Sequence, residues 1–140
     1  MQALQDEFGS ASPRLLIIDD DKVQQIVLGK IGGKAGYLVT IAGSVEQAIK
    51  EIENQPFECI ILDLLLNGQN GILILGEIAA RSSKTLLIVI SGASAAVREQ
   101  TLRLAAHHQL DAVELPKPVD LAALRTLLKT GFDVVQPTCL

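Results

Sequence analysis

Five short apolar runs recur along the chain, and polar residues close each of them. Arg14–Ile18 (RLLII) is halted by Asp19, Asp20 and Asp21, and Cys59–Leu62 (CIIL) is halted by Asp63. Leu86–Ile90 (LLIVI) ends at Ser91-Gly92, and Ala112–Leu115 runs into Pro116-Lys117-Pro118. Leu38–Ala42 (LVTIA) is the second run in chain order. Each has the length of a buried strand. Between them the period changes to that of a helix. From Lys22 to about Ala35, the residues Val23, Ile26, Val27 and Ile31 share one face. Ser44 opens a capping box with Gln47, followed by a face of Val45, Ala48, Ile49 and Ile52 before Pro56. Ile72–Ala80 and Ala95–His107 predict two further helices. Asp120 caps a last one carrying Leu121, Leu124, Leu127 and Leu128, with Gly131 expected to end it. Asn67, Gly68, Asn70 and Gly71 mark a loop.

Five strands alternating with five helices predict an α/β fold, a doubly wound parallel sheet with helices on both faces. Residues 1–13 read as a leader, 14–130 as one domain and 131–140 as a tail. No repeat and no second domain is visible.

Composition narrows the function classes. The chain has 140 residues, 49% apolar, with a mean hydropathy of +0.35, which excludes a disordered chain. No apolar run approaches the ~18 residues of a membrane-spanning helix. Twelve basic against sixteen acidic residues give a net charge of −4, which argues against phosphate-backbone binding, so no nucleic acid partner is expected. With 3% aromatics and no Trp, stacking platforms are not expected either. Two cysteines, Cys59 and Cys139, are too few for a disulfide scaffold or a zinc site; the expectation is a cytoplasmic protein with Cys59 in the core.

In an open parallel sheet, ligands bind beyond the carboxyl ends of the strands. Reading the residues that follow each run therefore collects Asp19, Asp20, Asp63, Ser91 and Lys117 at one edge. Three carboxylates in one pocket repel, by ~4 kcal/mol per pair at ~4 Å and an effective dielectric near 20. With no His or Cys ligand, they suit a hard divalent ion, Mg²⁺ or Mn²⁺. One such ion and Lys117 balance the three acids. A metal flanked by Lys and Ser donors suits a phosphoryl group, and the Asp63 carboxylate can act as the nucleophile toward phosphorus.

Four pieces in order, LLIIDDD (Leu15–Asp21), ILDLLLNGQNG (Ile61–Gly71), VISGA (Val89–Ala93) and PKP (Pro116–Pro118), carry a resemblance. From about Arg14 to Lys129 the chain resembles the receiver domain of two-component response regulators. The resemblance implies a flavodoxin-like sheet of order 2-1-3-4-5 and phosphorylation on Asp63. It implies Mg²⁺ held by Asp20 with Asp19, Asp63 and the backbone carbonyl of Leu65. Ser91 would bond a phosphoryl oxygen and report on it, and Lys117 would pair with the phosphoryl group, with a cis bond to Pro118. The implied donor is a histidine kinase or histidine phosphotransfer protein, and output passes to a downstream protein from a surface around Gly92, Ala93 and Glu114. Such a domain is a phosphoacceptor regulator with slow self-dephosphorylation.

The chain departs from the family at three places. Leu66 and Asn67 stand where Met-Pro is frequent, Glu114 stands where an aromatic is usual, and Pro116 directly precedes Lys117. Glu114 is expected to stay turned toward solvent beside Arg98 or Arg103, because an apolar slot would have to bury a carboxylate. Alternatives are a receiver fragment of a longer regulator and a degenerate receiver that serves as an interaction module. Phosphatases resembling haloacid dehalogenases keep an acid two residues after the nucleophile, where this chain has Leu65. Gly29–Ala35 is one residue short of a P-loop and lacks the Ser/Thr after Lys34, so a nucleotide site is rejected there; its glycines are expected to serve packing.

Overall fold

The computed structural model describes residues 12–66, 69–70, 73–81, 84–92 and 95–135. Strands β1 (Arg14–Ile18), β2 (Leu38–Ala42), β3 (Cys59–Asp63), β4 (Leu86–Ser91) and β5 (Asp111–Pro116) form one parallel sheet in the order β2-β1-β3-β4-β5. Helices α1 (Lys22–Lys34), α2 (Val45–Asn54), α3 (Leu73–Arg81), α4 (Ala95–His107) and α5 (Leu121–Val135) connect and follow them. The expected fold class and strand order are both present. Among the described residues, no helix is long and apolar enough to cross a membrane.

The alternation of side chains along the strands builds two cores. Leu16, Ile18, Ile60, Leu62, Leu87 and Val89 face α2, α3 and α4. Leu15, Ile17, Cys59, Ile61, Ile88 and Ile90 face the other way, under Leu28 and Ile31 of α1 and Leu124 and Leu128 of α5. A strand buried on both faces needs apolar residues at every position, and RLLII, CIILD and LLIVIS supply them. Each fully buried Leu or Ile contributes about 1.5–3 kcal/mol of burial. Burial also holds the Cys59 thiol protonated by raising its pKa.

Helix α1 lies on the sheet by a stripe rotated from the expected one, keeping Ile31 in the core and Val27 packed against it. Gln25, Leu28, Ile31 and Gly32 face inward, while Val23 and Ile26 are 69% and 58% exposed. The start of the helix and its rotation have separate causes. Asp21 caps the helix, its carboxylate accepting from the Val23 and Gln24 amides. Gly32 lies against β1, where an added Cβ would collide with the Leu15 side chain and crowd Val39 at 3.3 Å. Only a residue without a side chain lets the helix approach that closely, which gives Gly32 the expected packing role. Gly33, by contrast, faces open space. The helix then turns through Gly36, at φ 100°, into Tyr37, whose hydroxyl donates to the Leu128 carbonyl at 2.6 Å.

Two other elements differ from expectation. Leu65–Leu66 and Gln69–Asn70 pair as a short antiparallel hairpin within the expected loop; its turn residues Asn67 and Gly68 lie outside the described residues. Helix α5 continues through Gly131 to Val135, because a helical glycine costs only ~1 kcal/mol and stops a helix only where the backbone turns left-handed. The predicted caps are present. Ser44 Oγ accepts from Gln47 N at 3.1 Å, and Asp120 Oδ1 accepts from the Ala122 and Ala123 amides. The Gln47 side chain reaches back to Gly43 N, one residue before the cap. Most of the leader, the tail beyond Val135, and Gly71, Ile72 and Ala93 fall outside the described residues.

Candidate functional site

The carboxyl ends of β1, β3, β4 and β5 meet at one edge of the sheet. β3 ends on Asp63, opposite Ile90 of β4, and the next amide, Leu64 N, bonds to Ile90 O. β4 ends on Ser91, whose carbonyl accepts from Lys117 N at 3.0 Å. β1 ends one residue before Asp19. Asp19, Asp63 and Ser91 are buried, and Asp20 is half-buried. Asp63 and Ser91 are the last residues of their strands, and Asp19, Asp20 and Lys117 lie one or two residues beyond theirs.

Lys117 Nζ lies 3.1 Å from Asp63 Oδ2, with the Asp63 side chain 5% exposed and that of Lys117 37%. The peptide bond from Lys117 to Pro118 is cis. Asp19, Asp20 and Asp63 each present a carboxylate oxygen within 4.8 Å of the others. At that spacing and an effective dielectric near 20, each ionised pair repels by about 3.5 kcal/mol. Asp19 shows the strain most clearly. Burial pushes its carboxyl from 3.8 up to about 6; the Asp21 amide opposes this, Asp63 and Asp20 add repulsion, and Lys117 offsets part of it. Its Oδ1 accepts from Asp21 N at 2.9 Å, while Oδ2 is buried with no hydrogen-bond partner among the described residues.

That donor set fits a divalent cation. It is all oxygen and carries three carboxylates, one with a buried oxygen that has no hydrogen-bond partner among the described residues. The Leu65 backbone lies directly beyond Asp63–Leu64, at the start of the short hairpin. An open cleft of about 200 Å³ adjoins the acids, lined by Asp19, Asp21, Gln24, Lys117, Pro118 and Val119. Three carboxylates and an ammonium are thus gathered beside an open cleft, with Ser91 at the end of the neighbouring strand.

Glu114 stands beside Arg98, one of its two expected neighbours, but it is half-buried where a solvent-facing side chain was expected. Its side chain is 25% exposed, and its Oε2 lies 3.2 Å from Arg98 Nε on α4. The two attract by charge without hydrogen-bond alignment, since that oxygen has no hydrogen-bond partner among the described residues. The guanidinium is what allows the carboxylate to tuck under α4. Gly92 follows Ser91 at the surface, with Lys117 Cδ 3.4 Å from where its Cβ would stand. One residue at the site was not visible in the sequence: Gln25, a buried amide that donates from Nε2 to the Asp19 carbonyl at 2.6 Å. The available signal was a polar side chain three residues before Leu28 and seven before Gly32, on their stripe.

Comparison with known proteins gives a consistent result. The family model described as the response regulator receiver domain matches residues 15–129. The chain is 35% identical over 82 residues to the transcriptional regulatory protein AruR of Pseudomonas aeruginosa, covering 55% of this chain and 34% of AruR. It spans about a third to a half of the length of such curated relatives. Among solved structures, a response regulator from Burkholderia pseudomallei, with a phosphorylated aspartic acid, calcium and citrate, superposes with a TM-score of 0.71 at 27% identity, covering 90% of this chain and 72% of that one. The receiver domain of the sensor histidine kinase PA1611 from Pseudomonas aeruginosa PAO1, with magnesium in its active-site cleft, gives a TM-score of 0.70 at 25% identity, covering 87% and 98%.

Proposed function

The chain belongs to the response regulator receiver domains, and from that premise we propose that it is a phosphoacceptor switch of a histidine–aspartate relay, phosphorylated on Asp63. The observation that carries this reading is the Lys117 ammonium 3.1 Å from Asp63 Oδ2, beside the three-carboxylate cluster. The donor is a phosphohistidine on a histidine kinase or phosphotransfer protein. An Asp63 oxygen attacks phosphorus, the P–N bond breaks, and the departing imidazole takes up a proton. Lys117, released from its pairing with the free carboxylate, accepts the phosphoryl charge, and the Ser91 hydroxyl donates to a phosphoryl oxygen. Asp19, Asp20 and Asp63, with the Leu65 carbonyl, would hold Mg²⁺ or Mn²⁺, which supplies charge neutralisation for the transferring group. Strand-end rigidity does the rest, keeping the nucleophile aligned without cost at the moment of transfer.

Output follows from the change of charge at Asp63. Ser91 and Lys117 are joined through the Ser91 carbonyl, so a shift of either side chain is felt in the loop that leads to α4. The surface around Gly92, Ala93 and Glu114 is the proposed face for a downstream protein in the cytoplasm. The receiver turns over no substrate beyond its own slow dephosphorylation. Incubation with acetyl phosphate and Mg²⁺ followed by intact mass tests the reading. The wild type gains one phosphoryl group and Asp63→Asn gains none. Undiminished labelling of Asp63→Asn refutes the assignment. An unlabelled wild type that still binds a partner protein favours the degenerate, interaction-only reading, whose motivation is Glu114 at the position of the family's aromatic.

A further inference from the structure

We infer that Gln25 is a positioning residue for the acidic cation site, holding the β1–α1 loop so that Asp19 and Asp20 keep their geometry before any cation arrives. This rests on the cation reading above and deepens it. Along the inward stripe of α1, Leu28 and Ile31 are apolar and Gly32 has no side chain. Gln25 is the polar member, only 8% exposed. A buried carboxamide is costly unless it is bonded, so its presence among apolar neighbours calls for a function.

Its bond supplies one. Nε2 donates to the Asp19 carbonyl at 2.6 Å, reaching across the helix cap to a residue six positions earlier. A Cβ placed on Gly43 would lie 3.5 Å from the same nitrogen, so the amide is wedged between the β1–α1 and β2–α2 loops. Asp19 is then tied at three points. Its N–H donates to Ala42 O at 3.0 Å, its carbonyl accepts from Gln25, and its Oδ1 accepts from Asp21 N. Only Oδ2 is left without a partner among the described residues. The Asp19–Asp20 peptide is thereby held at its carbonyl, which sets the direction in which Asp20 leaves the strand. Without that tie, mutual repulsion among Asp19, Asp20 and Asp63 would spread the loop, and a cation would have to gather it again. Groups that orient ligands from behind typically alter metal affinity about 10–100-fold.

The test uses the full chain with Gln25→Met, which keeps length and volume but loses the donor, and Gln25→Asn, which keeps the amide but withdraws it by one methylene. Ile31→Val, on the same buried stripe, controls for simple loss of helix packing. Mg²⁺ alone is titrated by calorimetry, and amide exchange of Asp20 and Asp21 is followed in metal-free protein. Both Gln25 variants are expected to weaken Mg²⁺ binding by about tenfold or more and to speed exchange at Asp21. Ile31→Val is expected to lower the melting temperature while leaving Mg²⁺ affinity in place. If the wild type binds Mg²⁺ and either folded Gln25 variant matches it, or Ile31→Val weakens binding as much, the positioning role is overturned. A wild type that binds no Mg²⁺ overturns the cation reading and this inference together.

Discussion

Replacing Asp19 by asparagine should stabilise the metal-free protein at neutral pH while removing its function. The Asp19 carboxyl titrates at about 6 in the folded chain, against an ordinary value of 3.8. A raised native pKa means the native state holds the proton more tightly than the unfolded state. Stability from this group is therefore fully present below about pH 4 and is lost as pH rises through 6. A difference of about two in pKa corresponds to roughly 3 kcal/mol; the repulsion between Asp20 and Asp63 is common to both proteins and cancels in the comparison. The asparagine would keep the acceptor for Asp21 N, and its Nδ2 would place a donor where Oδ2 now has none. Urea unfolding in EDTA should show the variant more stable at pH 8, with the gap closing near pH 4. At about 2–4 °C per kcal/mol, the gap at pH 8 corresponds to a rise in melting temperature of up to roughly 10 °C. Mg²⁺ should narrow that difference, because a cation at 100 times its Kd stabilises the wild type by about 2.7 kcal/mol and the weakened site by less. No gain at pH 8 without divalent ions, or an equal gain at pH 4, would refute the argument that a buried charge strains this site.

Asp20→Ala should abolish Mg²⁺-dependent phosphorylation of Asp63 with the fold retained; full labelling in EDTA would contradict it. Gly32→Ala should destabilise by about 1–3 kcal/mol, because the new Cβ meets Leu15 where the helix lies against β1; equilibrium unfolding with no loss would mean the helix simply moves away. A double-mutant cycle on Arg98 and Glu114 should give a coupling below about 1 kcal/mol, given side chains 34% and 25% exposed, and less in high salt. Glu114→Ala should leave the beryllofluoride-induced change in hydrogen exchange at the start of α4 in place while altering partner binding; loss of that change would make the ion pair part of the switch.

The strand ends were legible because they obey a strong rule. Apolar runs that stop at an acid, a hydroxyl or a lysine must place those groups at the rim of a buried parallel sheet, and Asp19, Asp63, Ser91 and Lys117 met there. The rotation of α1 was not legible. Its two stripes, Val23–Ile26–Val27–Ile31 and Gln25–Leu28–Ile31–Gly32, share Ile31, and hydropathy ranks the first above the second. What decides is the close approach at Gly32, a tertiary contact that a one-dimensional pattern does not contain. Gln25 was hidden for the same reason. The hairpin at Leu65–Asn70 was read as a loop because strands of two residues are too short to show alternation, although Asn-Gly between them is a hairpin signal. The continuation of α5 past Gly131 shows that a glycine marks a helix end only when the chain also needs to turn.

Strand β2 lies at one margin of the sheet, and its sole strand partner among the described residues is β1. Its five residues, LVTIA, carry no charge and no proline, and Leu38 and Ile41 are both exposed. Margins of this kind in natural proteins usually carry lysines, prolines or bulges that discourage another chain from adding a strand. Here none of those guards stands on the strand itself. The nearest charges along the chain are Lys34, on the preceding helix, and Glu46, on the following one. The consequence is a concentration dependence. Among the described residues β2 is the less guarded margin, the opposite one, β5, carrying Asp111, Glu114 and Pro116. Light scattering that rises with protein concentration should therefore fall in Ile41→Lys, and an unchanged rise would place the association elsewhere.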